Sequence, residues 1–374
     1  MILFPMTKAN VGLSITRDSL CLATVKRGLG GIRCRHIAEQ QLPPDMLRLS
    51  PTKLNISNQP EFSDCLRTLL KGVKQPQPVA LSLPDLCGRT AILTFSNFPS
   101  KKTEQDSIVQ WRFQQDMNLP TDKARFSYCV FPPPPKQPGP THVLATAIQR
   151  DIIEQYEQVC LECGLLPHSA GLAGLDVFDF YRSQVLEFSR GSQSRSHDLS
   201  QECLFLYLAD WGFSFIAFRQ GYPVFARVKA LPIPRPQSGD SVESHASSRL
   251  TIMDTLDVRS ASQYGQDQYL PTNVTNVANE LVATLQYYFE TLQPPRVEAE
   301  SIPLYFAEGL RQAKTLLPEE TRIQEMLKSS LSHPPNLTMA TFTDNLSPKI
   351  KKVMLNSTPQ MASMSAVASV MVLS

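Results

Sequence analysis

An acidic residue and a glycine stand between two apolar runs in the second half of the chain. Asp210, Trp211 and Gly212 follow the run Cys203–Ala209 and precede the run Phe213–Arg219. A carboxylate at the end of a strand can bind Mg²⁺ directly or through water, and a glycine lets the backbone come close to a ligand. The same residues also form ordinary hairpin turns. The pattern by itself therefore leaves a metal–phosphate site and a plain turn both open.

A second candidate is the pair Cys160 and Cys163, whose CxxC spacing can indicate a redox or metal site. Both fall on the apolar face of a predicted helix and near its C-terminal end, where the helix dipole raises a thiol pKa. We interpret them as core cysteines, because the only nearby third ligand is His168 and no second CxxC accompanies them. The motifs GxSxG, GxxxxGK[ST] and GxGxxG are missing as well. The sequence therefore predicts no catalytic residue and no metal ligand.

A third candidate is the helix predicted over Lys102–Met117. Its apolar residues span an arc of roughly 240°, which is wider than a single core contact needs: Ile108, Val109, Trp111, Phe113 and Met117. One interpretation is packing against both a sheet and a neighbouring domain. The other is a partner-binding surface, since exposed aromatic area usually marks an interface. For that interpretation the candidate residues are Ile108, Trp111, Arg112 and Phe113.

Composition limits the classes of protein that can carry these residues. The chain has 374 residues, which suggests two or three folding units. A net charge of +2 excludes a strong whole-chain attraction to nucleic acid. Neither a secretory signal nor an apolar span of ~20 residues is apparent, so we expect a cytoplasmic protein. The 30 prolines against 16 glycines predict stiff loops and few glycine-built phosphate loops.

The first half of the chain alternates strands and helices. Before residue 89 we expect a strand, a hairpin, a helix and a strand: Asn10–Thr16, Leu20–Val25 with Arg33–Glu39, Glu61–Lys74 and Val79–Leu83. A β-α-β-β-α-β pattern of about 80 residues follows, long enough for a small subdomain: Thr90–Phe95, Lys102–Met117 with Thr103 as N-cap, Phe126–Phe131, Val143–Ile148, Asp151–Cys163 and His168–Leu172.

The second half begins with a predicted helix, Leu175–Phe188, and three closely spaced strands. The strands are Cys203–Ala209, Phe213–Arg219 and Pro223–Val228. Pro234–Thr272 is rich in Ser, Asp and Gln and is predicted to be a long loop. The remaining predicted elements are a strongly amphipathic helix, a strand and two more helices: Val274–Leu292, Ser301–Ala307, Leu310–Leu317 and Met361–Leu373.

Taken in order, these segments resemble the actin-like ATPase superfamily, and within it the branch that contains the PilM-like proteins of type IV pilus assembly and the division protein FtsA. Val11–Thr16 (VGLSIT) and Leu206–Gly212 (LYLADWG) resemble its two phosphate loops. Closer likeness to the PilM-like proteins comes from four segments: Gln110–Pro120 (QWRFQQDMNLP), Val143–Ala147 (VLATA), Cys163–Pro167 (CGLLP) and Asn279–Tyr288 (NELVATLQYY).

The resemblance implies an α/β protein with the two-lobed actin-like (ribonuclease H-like) fold and an inserted β-α-β-β-α-β subdomain. The implied division is residues 1–88 for the first lobe, 89–172 for the insert, 173–200 for a connecting helix and loop, 201–355 for the second lobe and 356–374 for a helix that returns to the first lobe. It also implies an ATP and Mg²⁺ site, whose matching positions are Gly12, Ser14, Thr16, Asp210, Gly212 and Gly309.

The chain departs from the family at that site. Ser14 and Thr16 stand where the first phosphate loop normally has Asp and Gly, and Ala307 replaces one of two glycines at the adenosine end. We therefore expect ATP and Mg²⁺ binding to be weak or lost and the protein not to be an enzyme. The alternative is an active actin-like ATPase. A division-type polymer is disfavoured, because Met361–Ser374 has no Lys or Arg to form a basic membrane helix.

The resemblance implies a partner as well. PilM-like proteins bind the N-terminal tail of a PilN-like single-span inner-membrane protein, so this chain is expected to be cytoplasmic and peripheral to the inner membrane, reaching the membrane only through its partner. No nucleic acid partner is expected, and a homo-oligomer or ring remains open. A related alternative is the cytoplasmic, GspL-like component of type II secretion.

Overall fold

The computed structural model describes residues 9–28, 31–133, 139–189, 202–231, 272–292, 301–309 and 319–341, together with Ala366 and Ala368. The predicted helix over residues 310–317 and almost all of the predicted loop over 234–272 lie outside these residues. So does the final predicted helix, apart from the two alanines, which are helical and buried.

The described residues include thirteen strands, six α-helices and two short 3₁₀ helices, Asp85–Cys87 and Thr121–Lys123. The strands are β1 Val11–Ile15, β2 Ser19–Gly28, β3 Gly31–Gln41, β4 Gln77–Leu83, β5 Gly88–Phe95, β6 Ala124–Phe131, β7 Thr141–Gln149, β8 Leu165–Leu172, β9 Glu202–Ala209, β10 Gly212–Arg219, β11 Tyr222–Ala230, β12 Ser301–Glu308 and β13 Asn336–Thr341. The helices are α1 Gln59–Leu69, α2 Lys102–Met117, α3 Arg150–Glu162, α4 Ala173–Ser189, α5 Thr272–Leu292 and α6 Glu320–Ser330.

The first sheet has the strand order β3-β2-β1-β4-β8. Strands β1, β2 and β3 pair antiparallel, whereas β4 pairs parallel to both β1 and β8. Every residue of β1 is buried, because the strand is central and both sheet faces are covered. Helices α1 and α3 pack together on this sheet, where Phe62 meets Tyr156 edge to face at 6.4 Å. This sheet and its helices form the first lobe.

The second sheet repeats the same topology with the order β11-β10-β9-β12-β13. Three consecutive antiparallel strands are followed by two parallel ones, as in the first sheet. Helices α5 and α6 pack together, and their apolar faces share one core with this sheet through Leu281, Leu285 and Leu327. Two five-stranded sheets with the same strand order make a two-lobed molecule.

A third sheet, β5-β7-β6, carries α2 on one face. We call β5, α2, β6 and β7 the three-stranded unit. Its core contains Val109 and Phe113 from α2, and the Phe113 ring meets Phe126 edge to face at 5.2 Å. In the chain this unit lies between β4 and β8 of the first sheet.

The boundary predicted for this unit was wrong. The sequence interpretation assigned α3 and β8 to it, but β8 pairs with β4 in the first sheet, and α3 packs with α1 and β8. The physical reason is burial: the apolar face of α3, including Ile152 and Tyr156, covers the first sheet. Thr103 was also wrong as the N-cap, since α2 begins at Lys102 and Lys101 occupies the cap position without a side-chain hydrogen bond.

Helix α4 packs against the second lobe. Phe178 stacks on Phe218 with ring centroids 4.9 Å apart and meets Phe205 edge to face at 5.5 Å. The same core includes Ala368 from the final predicted helix. Across the described ranges, none of the helices combines the length and apolarity that a membrane span requires.

Candidate functional site

The turn between β1 and β2 meets the turn between β9 and β10, so that the two lobes touch at the positions predicted for nucleotide binding. The Asp210 carboxylate accepts two backbone hydrogen bonds from the first lobe. Its Oδ1 atom accepts the N–H of Arg17 at 3.2 Å, and its Oδ2 atom accepts the N–H of Asp18 at 2.9 Å. The backbone amides of Arg17 and Asp18 in the first lobe therefore both donate to one carboxylate of the second lobe.

Thr16 stabilises the conformation of the β1–β2 turn through hydrogen bonds within the turn. Its buried Oγ1 atom donates to the carbonyl oxygen of Ser19 at 3.1 Å and accepts the N–H of Ser19 at 3.0 Å. Burial raises the pKa of Asp210 above its ordinary value, while the hydrogen bonds from the Asp18 and Arg17 amides oppose the increase. The arrangement binds an anionic group through backbone N–H donors, which is a common way for proteins to hold oxyanions.

Gly12 and Ser14 lie inside β1 and not in its turn. Gly12 pairs with Ala23 of β2 and Ala80 of β4, and Ser14 pairs with Cys21 and Ser82 in the same way. Both residues are buried in the middle of the first sheet. The structure therefore brings Thr16 and Asp210 together, whereas Gly12 and Ser14 form the strand that leads to Thr16.

The two remaining predicted glycines have structural reasons to be glycine. Gly212 has a φ of +139°, and a Cβ atom there would lie 1.9 Å from the carbonyl oxygen of Lys229. Gly309 follows β12 at the same edge of the sheet as Asp210, because β12 and β9 are parallel. A Cβ atom on Gly309 would lie 2.5 Å from the Tyr207 hydroxyl oxygen. Packing against backbone and ring is thus enough to require glycine at both positions.

Sequence reasoning missed a buried acid beside these turns. Asp85 follows β4, and its Oδ2 atom accepts the N–H of Gly174, the second residue of α4, at 2.8 Å. A Cβ atom on Gly174 would lie 3.0 Å from both the Asp85 Oδ1 atom and the Cβ atom of Ser214, which comes from β10. Burial raises the pKa of Asp85 to about 7, although the Gly174 amide and the Ser214 hydroxyl lower it. A helix start, a strand of each lobe and one carboxylate therefore meet here.

A second missed acid is Asp176, one turn into α4. Burial raises its pKa well above the ordinary value, and the nearby Asp85 charge raises it further. The available signal for both acids was position, since Asp85 comes just after the buried strand β4 and Asp176 lies at the start of the helix that follows β8, in the parallel part of the sheet. Within the described residues, no group of three or more His, Cys, Asp or Glu side chains is arranged to hold a metal ion.

The predicted partner residues on α2 separate into two sides of the helix. Trp111 is 60% exposed and lies with Ile108 in an open groove of about 540 Å³, which is also lined by Pro99, Thr103, Glu104 and Ser107. Arg112 is exposed and pairs with Asp116 at 3.1 Å. Phe113 is fully buried in the core of the three-stranded unit, so its side chain supports α2 from below and does not line the groove.

Cys160 and Cys163 are core residues. Both are buried in the first lobe, without a disulfide bond, and burial raises the pKa of each thiol. The Cys163 Sγ atom lies 3.6 Å from the carbonyl oxygen of Ser63 on α1. These surroundings favour an inert packing role over redox or metal chemistry.

No family model matches the chain, and no curated protein sequence matches it. Among solved structures, the PilM-PilN type IV pilus biogenesis complex is similar with a TM-score of 0.62 at 13% identity, over 98% of both chains. A Bacteroides thetaiotaomicron protein with an actin-like ATPase fold and unknown function has a TM-score of 0.47 at 8% identity, over 95% of this chain and 99% of that one.

The cytoplasmic domain of EpsL, an inner-membrane component of the Vibrio cholerae type II secretion system, has a TM-score of 0.41 at 9% identity, over 94% of this chain and 96% of that one. The first of these three structures matches this chain from end to end, and the two five-stranded sheets of this chain repeat one strand order. Together they show that the chain has the two-lobed, actin-like α/β fold in the form that is also found in the PilM-PilN complex.

Proposed function

We propose that this protein is a cytoplasmic scaffold of an inner-membrane assembly platform for type IV pili or a related secretion system. It would bind the N-terminal tail of a PilN-like membrane protein and reach the membrane only through that partner. The observation that carries the proposal is the structural similarity to a PilM-PilN complex along 98% of both chains, which includes the region of α2 and the third sheet.

The surface assigned to the partner is the groove on α2. Trp111 and Ile108 provide an apolar floor, and the exposed Arg112 lies on the same helix next to them. Tryptophan is one of the side chains that are enriched among the energetically dominant residues of protein interfaces. We infer that the three-stranded unit acts as an inserted subdomain that presents this groove, with Phe113 holding α2 to its sheet.

The cleft between the lobes would have little nucleotide chemistry left. The amides of Arg17 and Asp18 are donated to Asp210, so a phosphate group would have to displace that carboxylate before it could use them. Ser14 carries no carboxylate for a Mg²⁺ ion, and the Tyr207 ring lies against Gly309. We therefore propose that ATP and Mg²⁺ binding is weak or lost and that the protein does not turn over ATP.

One observation favours the alternative of an active actin-like ATPase. Asp85, whose pKa burial raises to about 7, lies beside the cleft at the end of β4, and a carboxylic acid with such a pKa can take part in proton transfer. Its hydrogen bond to Gly174 and its burial argue for a structural role. A ring of subunits and a GspL-like role in secretion remain further alternatives for the same scaffold.

A pull-down with the N-terminal tail of the PilN-like protein from the same organism tests the proposal. The full chain is expected to be retained by the immobilised tail and not by a scrambled peptide of equal composition. Failure to retain the chain, combined with Mg²⁺-dependent ATP hydrolysis by the same preparation, would reverse the ranking of scaffold and ATPase.

A further inference from the structure

We propose that the β1–β2 turn is an oxyanion-binding site that the chain fills with its own Asp210 carboxylate, and that this contact joins the two lobes in place of a bound ligand.

The two donors are consecutive backbone amides that point at one carboxylate. Arg17 gives its N–H to Oδ1 and Asp18 gives its N–H to Oδ2, so each carboxylate oxygen has its own donor. This bidentate arrangement is the one that backbone amides also offer to phosphate or sulfate oxygens. Because the donors are uncharged N–H groups, the site recognises the position of two oxygen atoms and not only a negative charge.

Hydrogen bonds between Thr16 and Ser19 fix the conformation of the turn. The N–H and the Oγ1 atom of Thr16 both donate to the carbonyl oxygen of Ser19, and the N–H of Ser19 returns to Oγ1. These bonds leave the amides of Arg17 and Asp18 directed away from the first sheet. The Arg17 guanidinium pairs with the neighbouring Asp18 carboxylate at 3.1 Å.

The contact also joins two distant parts of the chain. Asp210 is separated from Arg17 by 193 positions and belongs to the second sheet, whereas the amides belong to the first. An internal carboxylate is held at a high effective concentration beside the turn, so a dissolved anion competes poorly with it. Removal of the carboxylate should leave two unsatisfied donors that a small oxyanion can bind.

The test compares the full-length wild-type chain with the Asp210→Ala variant, using Asp64→Ala as the control. Asp64 is an exposed acid on α1, so this change removes a carboxylate without touching the turn. Asp210→Ala is expected to lower Tm by about 5 °C, because two charge-assisted hydrogen bonds are lost. Sodium formate or inorganic phosphate at 50 mM should then raise the Tm of Asp210→Ala by at least twice the shift seen in the wild type and in Asp64→Ala.

Hydrogen–deuterium exchange gives a second readout at the turn itself. Peptides that contain Arg17 and Asp18 should exchange faster in Asp210→Ala than in the wild type, and added phosphate should slow them again. If Asp210→Ala proves insoluble, Asp210→Asn replaces it, since the amide keeps one acceptor and opposes the second donor. Unchanged exchange at the turn, or faster exchange that neither formate nor phosphate slows, would overturn the proposal.

Discussion

The hydroxyl oxygen of Tyr207 lies where residue 309 would carry its side chain, 2.5 Å from the position of a Cβ atom on Gly309. Tyr207 comes from β9 and Gly309 follows β12, and the Gly309 N–H also donates to the carbonyl oxygen of Leu208 at 2.7 Å. The glycine that the family resemblance assigned to the adenosine end of a nucleotide site is therefore explained by the ring that covers it.

Gly309→Ala should destabilise the protein by about 1–3 kcal/mol, because the new methyl group overlaps a fully buried ring. Tyr207→Phe should not rescue it, since two ring carbons lie within 2.8 Å of the same point. Gly139→Ala, where the nearest atom is 3.5 Å away, provides the control. Denaturant unfolding measures all three variants. A Gly309→Ala variant with the stability of the wild type would show that the glycine has another purpose.

Asp85 makes stability depend on pH in a predictable direction. Its folded-state pKa is raised to about 7, so the folded chain binds a proton more tightly than the unfolded chain does. The resulting contribution to stability is fully present below about pH 4 and is lost as pH rises through about 7, by at most ~4 kcal/mol. Asp176, the other buried acid nearby, shifts in the same direction.

Asp85→Asn keeps an acceptor for the Gly174 N–H but does not titrate. The Tm difference between Asp85→Asn and the wild type should therefore grow in favour of the variant from pH 5 to pH 8. Asp64→Asn serves as the control, because Asp64 is exposed on α1. Parallel Tm curves for the wild type and Asp85→Asn over this range would contradict the assignment.

Trp111→Ala should weaken binding of the PilN-like tail at least tenfold, since a tryptophan that becomes buried on binding contributes strongly to the affinity of an interface. Its free energy of unfolding should change by less than about 0.5 kcal/mol, because the side chain is 60% exposed. Leu161→Ala, which removes a 55% exposed apolar side chain from α3, should leave binding unchanged. Fluorescence anisotropy with a labelled tail measures the affinities, and equal losses for both variants would place the interface elsewhere.

Phe113 separates folding from binding on the same helix. Phe113→Ala should cost about 3–5 kcal/mol of stability, because a fully buried ring is removed from the core of the three-stranded unit. The contrast with Trp111 tests whether α2 has one core side and one binding side. Similar stability of the two variants would show that the sides are assigned wrongly.

Cys160 and Cys163 should not react with a thiol reagent in the folded protein, because burial raises both pKa values. Among the described cysteines, the half-buried Cys65 on α1 and Cys129 on β6 should react first. Mass spectrometry of the labelled peptides identifies the modified positions, and a chelator should leave Tm unchanged. Fast labelling of the CxxC pair, or a chelator-induced fall in Tm, would revive the redox or metal interpretation.

Local patterns were sufficient where neighbours in sequence are neighbours in space. The predicted helix Lys102–Met117 has the bounds of α2, and the bends at Asp210–Gly212 and Gln220–Tyr222 separate β9, β10 and β11. Helix α6 and strand β13 were missed, although Ile323 and Leu327 have helical spacing and Leu337 is buried in the strand. Both elements are short and have polar neighbours, so their apolar spacing was overlooked.

Long-range relationships could not be predicted in the same way. Nothing local to strand β8 selects β4 as its partner. The acceptor role of Asp210 also escaped prediction, because its donors are backbone amides, which leave no signature in the sequence. The buried position of Asp85 depends on packing by α4 and β10, which only the folded chain reveals.

Isothermal titration calorimetry of the full wild-type chain with Mg-ATP tests most directly the claim that the cleft between the lobes is filled by the chain itself. We predict no saturable binding at low micromolar ATP, because Asp210 holds the amides of Arg17 and Asp18 and Tyr207 covers Gly309. Saturable binding with a low micromolar Kd would contradict the account and favour an active nucleotide-binding protein.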